Sequence, residues 1–108
     1  MASLLLGGCG VASPAACPAD LPAACPSPAP SFDGSVHDVI VRRCAICHGP
    51  NGENPGRPLE TYEQIVPQRS EMLSQVYACR MPPPGAAPPT ESERLALLGW
   101  LVCGAPNN

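Results

Sequence analysis

Val39-Ile40-Val41-Arg42-Arg43-Cys44-Ala45-Ile46-Cys47-His48-Gly49-Pro50 is the stretch from which the fold is read. Val36, Val39, Ile40 and Arg43/Cys44 recur at spacings of three to four, with Asp38 and Arg42 on the other side, which is the period of a half-buried helix. Ser35 or Asp33 can cap its start, and Gly49-Pro50 stops it. Positions three and four apart share a helix face. Two thiols and an imidazole are therefore gathered at one helix end, and the chain turns away directly afterwards.

Cys44-Ala45-Ile46-Cys47-His48 is C-x-x-C-H, the attachment pattern of c-type haem. The spacing lets Cys44 and Cys47 reach the two vinyl groups along one porphyrin edge, and His48 places a ring nitrogen over the iron. The same five residues admit other readings. C-x-x-C alone is a thioredoxin-like redox motif, but that requires a βαβ context. With Cys79 it could complete a Cys₃His zinc site. A lone C-x-x-C-H also arises by chance, so the pattern needs a second element. Met81-Pro82-Pro83-Pro84 supplies one. Haem iron in electron carriers is commonly held by His and Met, and consecutive prolines stiffen a ligand loop at low entropic cost. The 32 residues between His48 and Met81 give ample reach to pass around a macrocycle. Met72 reads as core, on the apolar side of a helix, and His37 as a solvated surface residue.

Working outward, residues 49–58 are loop by every turn rule. Helical stretches follow at about 60–66, interrupted by Pro67, and at about 68–79, with Met72, Leu73, Val76 and Tyr77 on one side. Residues 82–89 are again loop. Thr90-Glu91-Ser92-Glu93 is a capping box. It opens a last helix carrying Leu95, Leu97, Leu98, Trp100, Leu101 and Val102, which Gly104 and Pro106 end. No segment alternates like a strand, so the fold class expected is all-α.

The whole chain has 108 residues, with sixteen Pro and ten Gly, seven Cys and only four aromatic residues. A domain this small usually needs disulfides, a metal or a cofactor, and seven cysteines argue for an oxidising compartment. Six basic residues and a net charge of −3 speak against nucleic acid as a partner. No apolar run approaches the roughly 18 residues of a membrane-spanning helix. The first 34 residues hold six prolines and only two charges, Asp20 and Asp33. Leu6-Gly7-Gly8-Cys9 resembles the lipobox of bacterial lipoproteins. Residues 1–8 are then a signal remnant, Cys9 the lipidated residue, and 9–34 a Pro/Ala-rich tether of polyproline type. Within that tether Cys17 and Cys25 either pair, closing a short loop worth roughly 2–3 kcal/mol, or stay unpaired.

Residues 35–108 resemble a class I-type cytochrome c domain, of the small lipid-anchored, disulfide-containing bacterial kind. The resemblance rests on a helix ending in C-x-x-C-H, a Gly/Pro loop, the Cys79-Arg80-Met81-Pro82-Pro83 run, and a last helix with Trp100 that ends in Cys103-Gly104-Ala105-Pro106-Asn107-Asn108. It implies a cytochrome c-like fold whose first and last helices cross around one covalent haem c, with Val36, Ile40, Leu97, Trp100 and Leu101 near the crossing. It implies Cys44 and Cys47 as haem thioethers and His48 and Met81 as axial iron ligands. The carbonyl of Pro58, or else of Pro55, would accept a hydrogen bond from His48, and Arg57, Arg69 and Arg80 are candidates to hold the propionates. It further implies a Cys79–Cys103 disulfide clamping the Met81 loop to the last helix. With Cys17–Cys25 paired and Cys9 lipidated, all seven cysteines are used, although four cysteines allow three pairings. The function expected is a monomeric one-electron carrier and not an enzyme, anchored by Cys9 on the periplasmic side of a bacterial envelope, with the outer membrane weakly preferred because Gly10 follows Cys9. Its partners would be redox proteins. A haem-based sensor, and a zinc-binding or disulfide-stapled structural lipoprotein, are the alternatives.

Overall fold

Ser31 decides where the helical body begins. Its hydroxyl accepts from Gly34 N, and its carbonyl accepts from Ser35 N (3.1 Å) and Val36 N (2.9 Å), winding Phe32–Val36 into a π-helical turn. That turn runs directly into α1, His37–Arg43. The computed structural model describes residues 17–108. After a long loop, α2 (Tyr62–Ile65) opens on a capping box formed by Thr61 and Gln64. Pro67 does not break the chain that follows. It sits in the first turn of a 3₁₀ segment, Val66–Gln68, where its missing N–H costs nothing, and α3 (Arg69–Tyr77) continues from there. The last helix, α4 (Glu91–Val102), has the expected Thr90/Glu93 capping box. The regular elements among the described residues are all helical, with no strand.

Both long helices end in the same way. In α4, Gly104 (φ +89°) donates to Leu101 O and Ala105 donates to Trp100 O, which is a Schellman stop. In α3 the corresponding position is Cys79, at φ +61°, with Cys79 N on Val76 O and Arg80 N on Gln75 O. A non-glycine residue in the left-handed region costs roughly 1–2 kcal/mol, so something else holds Cys79 there.

The core joins Phe32, Val36 and Ile40 to Leu97, Leu98, Trp100 and Leu101, with Ile65, Met72 and Val76 from the middle helices. Phe32 stacks on Trp100 and meets Tyr62 edge-on. Trp100 is fully buried, and its Nε1 donates to Pro106 O. Asn108 ties the two ends of this body together: its Oδ1 accepts from Phe32 N and its Nδ2 donates to Pro30 O.

Residues 17–34, the described part of the expected 9–34 tether, are instead laid against the helices. Asp20 forms a two-pronged ion pair with Arg94 of α4. Pro26 and Pro30 lie against Gly99 so closely that a β-carbon there would sit 3.1 and 3.2 Å from their ring atoms. This path corrects the expected disulfides. Cys17 pairs with Cys79 (Cα–Cα 5.8 Å), and Cys25 pairs with Cys103 (4.6 Å). A Cys17–Cys25 and Cys79–Cys103 pairing would close the arm on itself, whereas the arm runs lengthwise and delivers each thiol to a different helix end.

Candidate functional site

The C-x-x-C-H segment leaves α1 through a tight turn in which Cys47 N and His48 N both donate to Cys44 O. The 49–59 loop then folds back onto it. Asn54 N donates to Cys47 O and Leu59 N to His48 O, each at 2.8 Å. Gly52 lies directly on this backbone, and a β-carbon on it would collide with the Cys47 carbonyl. Glycine is required there for close approach.

This folding-back fixes the imidazole. His48 Nδ1 lies 2.8 Å from Arg57 O. A carbonyl oxygen only accepts, so Nδ1 carries the proton and Nε2 keeps its lone pair free for a metal. The acceptor is the carbonyl immediately before Pro58, rather than that of Pro58 or Pro55. Pro58 O instead accepts from Gln68 Nε2.

His48, Cys44, Cys47 and Met81 line one cavity of about 490 Å³. That is within the roughly 300–1,000 Å³ typical of cofactor-sized ligands. Leu59, Met72 and Val76 supply apolar wall, and Pro82, Pro83 and Ala86 close the side nearest Met81. Cys44 and Cys47 are free thiols, while the four other described cysteines are in disulfides. Burial, and then neighbouring Cys47, push the Cys44 thiol up to about 11. Met81 sits at the mouth, 39% exposed.

Several expectations are sorted by position. Among the arginines, Arg57 lines the cavity, and so does Arg43, which sequence reading did not single out. Arg69 turns to Val66 O, and Arg80 to Gln75 and Ser74. His37 is not merely solvated. It stacks on Phe32, and its Nε2 bonds Glu60 O, away from the cavity. Cys79 is committed to Cys17, so a Cys₃His zinc site with Cys44, Cys47 and His48 loses its third thiolate. Among the described residues, no group of three or more His, Cys, Asp or Glu side chains is placed to hold a metal ion. The signal remnant 1–8 and Cys9 lie outside the described residues.

The residue set can be tested against haem on these observations. Two unpaired thiols, an imidazole with Nε2 free, a thioether and apolar wall meet at one cofactor-sized cavity. That donor set suits two thioether bonds and two axial bonds to one iron porphyrin, and the cavity arginines offer partners for carboxylates. No protein-family model, curated protein or solved structure matches the chain.

Proposed function

We propose that this protein is a monohaem c-type cytochrome with a cytochrome c-like fold, working as a one-electron carrier and not as an enzyme. The observation that carries the reading is the His48 Nδ1–Arg57 carbonyl bond beside two free thiols and Met81 on a single cavity. Cys44 and Cys47 would hold haem covalently, and His48 and Met81 would ligate its iron. Haem iron held by imidazole and thioether supplies one-electron redox chemistry at a raised potential.

This chain's own residues do the remaining work. The Arg57 carbonyl orients the His48 ring and fixes its tautomer. Leu59, Met72 and Val76 exclude water from the cavity floor. Were His48 and Met81 both to hold the iron, the protein would leave it no position for a substrate, in keeping with transfer rather than catalysis. Two disulfides fit an oxidising, extracytoplasmic compartment, and no helix among the described residues is long and apolar enough to cross a membrane. We place the protein on the periplasmic side of a bacterial envelope, anchored by lipid on Cys9 and meeting redox-protein partners as a monomer.

The exposure of Met81 favours one second reading, a haem-based ligand sensor in which that thioether leaves the iron. Absorption spectra of the chain matured with a c-type attachment system separate the two. The carrier shows covalent haem with a sharp reduced α-band and a weak far-red oxidised band that Met81→Ala abolishes. Haem without that band supports the sensor. Absence of haem overturns both.

A further inference from the structure

Arg94 is a buried cation that does not line the cavity, and nothing in the proposed electron transfer uses it directly. Four of the five N–H groups of its guanidinium are engaged. Nε and Nη2 hold the two oxygens of Asp20 at 2.8 and 3.0 Å. Nη1 donates to Val76 O (2.8 Å) and Nη2 to Tyr77 O (3.2 Å). Those two carbonyls belong to the last turn of α3, and the Met81 loop leaves from that turn. Two residues past Tyr77 comes Cys79, held in the left-handed region and cross-linked to Cys17. Arg80 N and Met81 N both return to Gln75 O, at 2.9 and 3.2 Å. The end of α3 is thus gripped by α4 through Arg94, which Asp20 of the N-terminal arm holds, and by that arm directly through Cys17.

We propose that Arg94, Asp20 and the Cys17–Cys79 disulfide form a post whose role is to position Met81 as an iron ligand. This rests on the haem reading above. Met81 is exposed at the cavity mouth and lies on a proline-rich loop with few bonds of its own, so its placement depends on the point from which the loop departs. Arg94 suits that duty because its planar fork serves a carboxylate and two carbonyls together, which an ammonium group does not.

Two variants take the post apart differently. Asp20→Asn with Arg94→Met removes the ion pair without stranding a buried charge. Cys17→Ser with Cys79→Gly removes the cross-link but leaves at 79 a residue that adopts the left-handed conformation freely. Two readouts apply to the purified full chain. The first is the far-red oxidised band together with the rate of carbon monoxide binding to the reduced protein. The second is amide exchange at Arg80 and Met81, compared with Leu59, which lines the same cavity but whose amide bonds His48 O and not α3. In either variant the band should weaken and carbon monoxide binding should rise roughly ten- to a hundredfold. Exchange at Arg80 and Met81 should quicken by roughly tenfold or more, with Leu59 and covalent haem attachment unchanged. Arg94→Lys should fall between.

An unchanged band and exchange rate in both variants would overturn the proposal. So would Leu59 quickening as much as Arg80 and Met81, since that marks general loosening. Should one variant not fold, the other decides. Wild-type protein that takes up no haem would overturn the haem reading and the ligand role with it, while the exchange comparison would still show whether the post holds the loop.

Discussion

Glu93 shows how much one residue carries here. Its carboxylate closes the capping box on Thr90 N and takes Arg42 and Arg43 of α1 at 2.8 and 3.0 Å. The Thr90 backbone N–H first, then Arg42 and Arg43, hold its pKa down at about 2. A carboxyl depressed in the folded state contributes stability that is fully present above its ordinary value, about 4.3, and is lost as pH falls toward the folded value. Glu93→Gln keeps an oxygen for Thr90 N but gives up the charge. Its denaturant midpoint should therefore fall less steeply than wild type between about pH 4.5 and 2. Equal acid slopes in urea titrations would show that the ion pairs add nothing. At this scale, spacing and chemistry alone were enough to nominate Cys44, Cys47, His48 and Met81, because reactive side chains announce themselves. The carbonyl of Arg57 does not. Every residue has one, and only the path of the 49–59 loop decides which of them meets His48.

The helices were legible for the same local reason. The Thr90/Glu93 box and the three-to-four periodicity of α3 and α4 are properties of consecutive residues. The first helical body starts earlier than its apolar pattern suggests, because Ser31 caps a π-turn and Phe32 joins the Trp100 stack. What no periodicity reports is that α4 is buried on two sides. One side meets the core, and Gly99 admits Pro26 and Pro30 on another. The absence of a side chain at 99 looks like a helix weakness of about 1 kcal/mol until the arm is seen against it. Gly99→Val should thus destabilise the protein by roughly 1–3 kcal/mol through overpacking, despite the loss of a mid-helix glycine. Chemical denaturation reads this directly, and a variant as stable as wild type would mean that the arm does not rest on α4.

For the whole molecule, disulfide topology decides what kind of object the chain is. A Cys17–Cys25 link would leave a looped arm swinging from the helices. The observed links span 62 and 78 residues and bind the arm to the ends of α3 and α4. Four thiols have three pairings, and choosing among them requires knowing that Asp20 meets Arg94, 74 residues away. Such long-range geometry is the part of the fold that local pattern cannot hold. Loops of this length are worth roughly 4 kcal/mol each by chain entropy when taken singly, against a typical total of about 5–15 kcal/mol for a domain. The two loops overlap, so the second link removes less freedom than the first. Replacing Cys25 and Cys103 by Ser should therefore cost roughly 2–5 kcal/mol, and doing the same to Cys17 and Cys79 in addition should cost more than twice that, because the last link removed takes the larger share. Peptide mapping without reduction tests the topology itself. A fragment joining Cys17 to Cys79 is expected, and a Cys17–Cys25 fragment would detach the arm from the α3 terminus and leave the Met81 loop tied to α4 alone, through Arg94 and a Cys79–Cys103 link.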